Sequence, residues 1–324
     1  MKTDARSLGV RFIKLIVPHP IATAQETVRW LAARRWARTV LNRGYALLSS
    51  NAKREAHGLF SRLFRGYSGT FADGVWRVGF EGRRIVVPLR ADWAWLDWDF
   101  ALALLGHDAD VTRLCGFMIR HARPRVVFDV GSNYGIFSLR WLVHGVRTIS
   151  FEPNPVCNAY LRLLGDKNQI QPEIEELALD AEDATVSLFF TPGVEWLGTT
   201  RPRNDGFARR VEVRQGTVDG YVEEHQVIPD LLKVDTEGSD LGVLRGASRT
   251  LWTHRPLVVF ESLDRAERHE YFDLLTRVEY VVCPLDVPHR PPRALDSARF
   301  GASADRNFLA CPTEMLTRWP PRFG

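Results

Sequence analysis

The sequence predicts an α/β fold built on a central, mostly parallel sheet. From Arg125 onward, short apolar runs alternate with amphipathic segments, the pattern of strands joined by crossover helices. The first of these runs, VVFDV, breaks into a glycine turn, GSNYG, ahead of a further apolar segment. The chain of 324 residues is 45% hydrophobic and 25% charged, a composition that suits a globular protein and excludes collagenous, coiled-coil and largely disordered chains.

The elements follow in chain order. Residues 1–70 read as a basic helical extension, broken by Pro18 and Pro20 and by Gly44 and Gly58. Residues 75–89, VWRVGFEGRRIVVPL, are two strand-like runs around Glu81-Gly82, a β-hairpin. A Trp-rich piece, ADWAWLDWDFALALLG, leads into a helix ending before Pro124, so residues 71–124 form a lead-in or cap and 125–324 the main domain. Strands are expected at 125–130, 147–151, 231–235, 257–260, 280–283 and 308–311.

The intervening helices carry start signals. Asn154 is placed to cap a helix with Pro155 in its first position. Asp264 and Glu267 have capping-box spacing ahead of Tyr271, Phe272 and Leu275, and Ser239 is placed to cap a helix burying Leu241, Leu244 and Ala247. Residues 185–214 are strand-like in pieces and broken by Pro192, Gly193, Gly198, Pro202 and Gly206, which reads as an inserted hairpin with a long loop.

The net charge of +4 hides an asymmetry. Residues 1–70 hold thirteen Lys or Arg against three Asp or Glu, a charge of +10, which leaves −6 for the rest. Within this arm Trp30, Ala33, Ala37 and Leu41 recur at helical spacing while Arg34, Arg35 and Arg38 fall on another side. The simplest reading packs the stripe on the main domain, with an anionic membrane surface as the alternative partner; no nucleic-acid motif accompanies the charge. No apolar run approaches the roughly 20 residues of a membrane span, and charges interrupt the first apolar stretch, so a cytoplasmic protein, at most peripheral to the membrane, is expected. Arginine richness at the start also suits an organelle transit peptide, against which Asp4 and the two prolines argue. Cys115, Cys157, Cys283 and Cys311 stand far apart without CxxC or zinc spacing, as reduced core thiols do.

Chemistry begins at residues 126–135. Gly131 and Gly135 bracket a tight turn before a helix, where backbone can approach a ligand without Cβ interference and free N–H groups point outward. The segment is not the GxGxxG dinucleotide fingerprint, and Asp129 stands where a pyrophosphate would approach, so a cationic ligand suits it better. Glu152, at the end of the next strand in ISFEPNP, is placed to accept both hydroxyls of a ribose. Adenosine on Glu152 with a sulfonium-bearing amino acid near Asp129 describes S-adenosyl-L-methionine. Asp129, Gly131, Ser132, Asn133, Tyr134, Gly135, Glu152, Pro153 and, against the adenine, Asp180 are the cofactor-binding candidates.

The blocks VVFDVGSNYGIFSLRWL, ISFEPNP, LLKVDTEGSDLGVLRGA, RPLVVFES and RNFLACP, in this order, resemble the FkbM-type methyltransferases. The resemblance covers residues 126–311, and KVDTEGSDLGVLRGA is its most specific part; the first 70 residues lie outside it. It implies a Rossmann-like class I methyltransferase fold with the last strand antiparallel, and methylation of a hydroxyl on a sugar, glycan or secondary metabolite. Ser132, Thr236 and Ser239-Asp240 depart modestly from the usual family residues.

Methyl transfer to an alcohol needs in-line alignment and a base for the hydroxyl proton. Strand alternation puts Lys233 and Asp235 on one face, with Glu237 in the turn after it and Glu261 at the end of the neighbouring strand. Asp235 or Glu237 is the expected base, and Lys233 its holder or an orienter of the acceptor; a purely structural ion pair of Lys233 with Asp235 or Glu261 is the alternative. A magnesium ion shared by Asp235, Glu237 and Glu261 is chemically allowed, but two-residue spacing at a strand end is no metal motif, so no metal is assigned. His144, His225, His254, His269 and His289 have no patterned partner.

Two other functions compete with O-methylation. One is N-methylation of a nucleic acid or protein docked on the basic arm, against which the absence of a DPPY- or NPPY-like tetrapeptide at residues 235–238 argues for nucleobases. The other is a non-catalytic cofactor-binding scaffold. The acceptor pocket is expected from Trp93, Trp95, Trp98 and residues 195–207, with Arg201, Arg203, Arg209 and Arg210 nearby.

Overall fold

The computed structural model describes residues 74–89, 109–190, 198–200, 209–285 and 291–323, with residues 27, 31, 34, 36, 37, 40, 43, 44, 47–49, 52, 97, 100, 101 and 104. Trp30, Ala33 and Leu41 of the expected stripe, Trp93, Trp95, Trp98, Arg201, Arg203 and His289 lie outside the described residues. The chain divides into two compact units, Met1–Trp76 with Val87–His107, and Arg77–Val86 with Asp108–Gly324.

In the first unit the described residues 27, 31, 36, 37, 40, 43 and 44 are helical, as are 97, 100, 101 and 104. Ala37, Phe100, Ala101 and Leu104 are buried. The hairpin of β1 (Gly74–Phe80) and β2 (Arg83–Leu89) turns at Glu81 and Gly82, both at positive φ (45° and 77°), as a two-residue hairpin turn requires.

The second unit is built on a seven-stranded sheet. Its strands are β3 (Val126–Val130), β4 (Arg147–Phe151), β5 (Glu173–Glu175), β9 (Leu231–Val234), β10 (Leu257–Glu261), β11 (Tyr280–Pro284) and β12 (Asn307–Pro312). They run in the order β11-β12-β10-β9-β3-β4-β5, all parallel except β12, which is antiparallel to both neighbours. This is the Rossmann-like arrangement of a class I methyltransferase, with the last strand reversed. The inner strands are buried along nearly their whole length, because crossover helices cover both faces.

Alternation sorts these strands into two faces. Phe128, Val130, Ile149, Phe151, Leu232, Val234, Val258 and Phe260 form one, packed with side chains of α4 (Val218–His225), α5 (Asp240–Arg245), α6 (Ser248–His254) and α7 (Arg268–Arg277). The other face carries Asp129, Ser150 and Lys233, which stand in register across β4, β3 and β9. Helix α2 (Ile136–Leu142) meets this row through Ser138.

Helix α3 (Pro155–Asn168) starts as expected: the Asn154 side chain accepts from Val156 N with Pro155 in the first turn. Two caps differ. Ser239 makes no side-chain cap at α5; its hydroxyl lies 3.3 Å from that of Thr200. Asp264 caps a 3-10 turn, Arg265–Glu267, and α7 begins only at Arg268, with no side-chain cap from Glu267. The inserted hairpin is β7 (Ala184–Phe190) against β8 (Arg209–Gly216), joined by β6 (Ala178–Leu179) into a separate three-stranded sheet. All four cysteines are free and buried.

Candidate active site

The site lies at the carboxyl ends of β3, β4 and β9, where strand order reverses and an open sheet leaves a crevice. The turn after β3 closes against β4, with Gly131 N and Ser132 N both donating to Phe151 O at 3.0 and 3.1 Å. Gly131 has φ 73°, and a Cβ there would lie 1.9 Å from Asp235 O, so no side chain fits between these two strand ends. Gly135, at φ 84°, occupies the N-cap position of α2.

Glu152 follows β4 and is held by this turn. Its Oε2 accepts from Asn133 N at 2.8 Å and its Oε1 from Asn154 N at 2.9 Å, leaving each oxygen a further lone pair. Burial pushes its carboxyl up to about 7, against the opposing effect of the two N–H donors.

A cavity opens beside it. Gly131, Asn133, Glu152, Pro153 and Cys157 line one side, Leu177, Ala178 and Leu179 another, and Asp235, Thr236, Glu237 and Ser239 a third. The inserted sheet covers it through Leu188, Gly198, Thr199 and Thr200. Thr199 Oγ1 donates to Glu237 O at 3.3 Å, and the hydroxyls of Thr200 and Ser239 meet at 3.3 Å.

Beneath the cavity runs a buried polar row. Lys233 Nζ lies 3.3 Å from Asp129 Oδ1 and 3.2 Å from Asp235 Oδ2. Ser138 Oγ donates to Asp129 Oδ2 at 2.6 Å and meets Ser150 Oγ at 2.8 Å. Burial alone lowers the pKa of Lys233, but the Asp235 and Asp129 carboxylates outweigh it and hold the ammonium above the ordinary lysine range. The lysine is therefore a fixed cation joining a fully buried aspartate to one on the cavity wall.

The turn after β9 is set by Asp240. Its two oxygens accept from Thr236 N (3.0 Å) and Gly238 N (3.3 Å), while Ser239 N donates to Thr236 Oγ1 (3.0 Å). Between these anchors Glu237 sits at φ 55° and lines the cavity. Burial first, then the Asp235 charge, pushes Asp240 up to about 6. Glu261, at the end of β10, pairs with Arg306 at 3.2 Å and is pushed up to about 8 by burial and then by Asp235, with Arg306 opposing.

Residues 129–281 match the methyltransferase FkbM domain. Over these residues the chain is similar to the FkbM methyltransferases. A curated relative, 31-O-demethyl-FK506 methyltransferase FkbM of Streptomyces tacrolimicus, is 30% identical over 172 aligned positions, covering 43% of this chain and 65% of the relative. Among solved structures, methyltransferase FkbM from Methylobacillus flagellatus KT superposes with a TM-score of 0.38 at 15% identity, over 66% of this chain and 55% of that one. The 16S rRNA N2 G1207 methyltransferase RsmC of T. thermophilus superposes with a TM-score of 0.39 at 13% identity, over 75% of this chain and 52% of that one. The chain thus spans less than two thirds of the length of these relatives.

Within the FkbM domain the structure brings Gly131, Asn133, Glu152, Pro153, Asp235 and Glu237 to one cavity. Other candidates are placed elsewhere. Asp129 lies under the cavity, occupied by Ser138 and Lys233, because alternation on β3 turns it to the α2 face. Tyr134 is buried edge-to-face on Tyr160, Ser132 is buried, and neither they nor Gly135 line the cavity. Asp180 does not line this cavity: its Oδ1 accepts from Ala181 N, and a Cβ at Gly242 would strike it, so it packs on α5. Leu177, Ala178 and Leu179 line the wall in its place. Asp235, Glu237 and Glu261 do not form a metal cage; among the described residues no group of three or more His, Cys, Asp or Glu is placed to hold a metal ion.

Sequence reasoning missed Cys157 and the clamp by Asp240. Asp240 had a signal, an acid in a helix first turn directly after a glycine turn. Thr199 and Thr200 belong to the 195–207 stretch expected at the acceptor pocket, and they line the same cavity as Glu152.

Proposed function

We propose that this chain is an S-adenosyl-L-methionine-dependent O-methyltransferase acting on a hydroxyl of a sugar, glycan or secondary metabolite. The observation that carries the reading is the shared cavity of the Gly131 turn, Glu152 and Asp235. The residues fit the cofactor: the Cβ-free Gly131 lets backbone form the cavity wall, and both Glu152 oxygens keep a lone pair for a hydroxyl. Glu152 holds the ribose, the turn at Gly131 and Asn133 the amino-acid end, and Leu177, Ala178 and Leu179 supply an apolar wall for the base. The bound cofactor supplies an electrophilic methyl group on a cationic sulfur.

The chain's own residues do the rest. Lys233 stays protonated and fixes Asp235 at the cavity wall, where Asp235 accepts the proton of the acceptor hydroxyl. Glu237, presented by the Asp240 clamp, is the second candidate for that role. Glu261, at the end of the neighbouring strand, pairs with Arg306 and does not line this cavity, so the base is sought at Asp235 and Glu237. Methylation at oxygen is supported by the name of the curated relative, which acts on 31-O-demethyl-FK506.

The test is calorimetry of the purified chain with S-adenosyl-L-methionine, followed by methyl transfer assays on a panel of sugars and polyketide alcohols, with RNA in parallel. Cofactor binding with transfer to an alcohol supports the proposal. Absence of cofactor binding, or transfer to RNA alone, removes it.

A further inference from the structure

The first unit carries an exposed apolar stripe that the sequence pattern did not single out. Trp36 is 60% exposed and Val40 62%, whereas Ala37, beside them, is 2% exposed. At helical spacing Trp36, Val40 and the exposed Arg43 fall within about 60° of one another around a helix axis. Leu47, whose N–H donates to Gly44 O at 3.2 Å, is 88% exposed, and Leu48 is exposed as well. Residues 27–54 around this stripe contain seven Lys or Arg and no Asp or Glu.

We infer that this stripe is a docking surface for an anionic lipid bilayer. Three occupants are conceivable, and charge together with apolarity decides between them. A second copy of the chain would bring another arm of +10 against the first, and like charges repel. A nucleic acid matches the charge but offers no apolar phase for Trp36, Val40 and Leu47. A bilayer with anionic headgroups matches both: its acyl boundary takes the tryptophan and aliphatic side chains, and its surface potential attracts the arginines. Tryptophan is the side chain that favours this boundary, with an apolar ring system and one N–H for the headgroup layer. The stripe is short, so the attachment is reversible and peripheral, and among the described residues no helix is long and apolar enough to cross a membrane. The inference does not depend on the reaction the second unit performs.

Co-sedimentation of the full chain with extruded vesicles tests it, using phosphatidylcholine alone and phosphatidylcholine mixed with phosphatidylserine. The chain is expected to pellet with the mixed vesicles, not with phosphatidylcholine alone, and to be released as salt is raised. The W36S/L47S double variant is expected to lower the partition coefficient on mixed vesicles at least about tenfold, and R43E, which leaves the apolar residues in place, to lower it several-fold. Both variants alter exposed side chains, so their thermal unfolding is expected to match the parent chain. Equal recovery with and without phosphatidylserine vesicles, or undiminished binding by W36S/L47S, overturns the inference. So does a dimer in sedimentation equilibrium that W36S/L47S dissolves, or RNA retention that is lost in the same variant.

Discussion

The Lys233 ammonium stands 3.2 Å from an Asp235 carboxylate oxygen, tying the cavity wall to the interior of the sheet. Its second partner, Asp129, is fully buried, so the lysine neutralises one charge that water cannot reach and aims another that it can. Asp235→Asn keeps the shape of the wall but removes the charge that takes a proton. Cofactor affinity by calorimetry is expected to stay within a few-fold while methyl transfer falls about 10²–10⁴-fold. Retained turnover in both Asp235→Asn and Glu237→Gln would refute the carboxylate base.

Lys233→Met leaves Asp129 buried beside Ser138 without a cation. Removing one partner of a buried pair costs about 3–5 kcal/mol. Urea unfolding is expected to show a loss of that order, recovered in large part by the Asp129→Asn/Lys233→Met double variant. A double variant no better than the single one would show that the pair is not what stabilises this region.

Glu152→Gln removes the charged acceptor and one of the two oxygens that receive Asn133 N and Asn154 N. With charge-assisted bonds contributing about 1.5–3 kcal/mol each, cofactor affinity is expected to fall about 10–100-fold. In the parent chain a hydroxyl-bound Glu152 favours the ionised form, so affinity is expected to rise with pH up to its value of about 7 and then level off, with a limiting slope of about tenfold per unit. A flat calorimetric profile across that range would place the ribose elsewhere.

Gly131→Ala puts a methyl group 1.9 Å from Asp235 O at a φ of 73°. Gly145, at φ 75° with nothing within 4 Å of an added Cβ, isolates the backbone part of the cost. Gly145→Ala is expected to lose about 1–2 kcal/mol, and Gly131→Ala a further 1–3 or so from the clash, together with cofactor binding. Equal losses in the two variants would mean that the two strand ends do not press together.

Three carboxyls bind their protons more tightly in the folded chain: Asp240 at about 6, Glu152 at about 7 and Glu261 at about 8. A raised folded value means that their contribution to stability is complete below the usual carboxylate range and is lost as pH climbs through about 6 to 8. The urea midpoint without cofactor is therefore expected to decline across that window, and Glu261→Gln, neutral throughout, to flatten its upper part. A midpoint that instead rises from about pH 5 to 8 would contradict the burial of these groups.

Much of the frame was legible beforehand because its causes are local. The strands at 126–130, 147–151 and 257–261 are apolar runs bounded by turn signals, and the Asn154-Pro155 start of α3 is a property of two adjacent residues. Alternation along β9 put Lys233 and Asp235 on one side, and the structure has them paired. Asp180 shows the limit. It follows a short strand, but the chain leaves the main sheet after β5 to enter the inserted sheet, so the leucines before it reach the cavity and the carboxylate packs on Gly242.

The sequence by itself determined the alternating elements, the glycine turn and the acids at two strand ends, since propensity, capping and period-two alternation act between near neighbours. Only the tertiary structure decided that Asp129 underpins the cavity instead of lining it, that Asp240 shapes the turn bearing Glu237, and that Thr199 and Thr200 meet Glu237 and Ser239. Those outcomes depend on register between strands distant in the chain and on how an inserted sheet folds back, which pairing across space sets and no local pattern encodes.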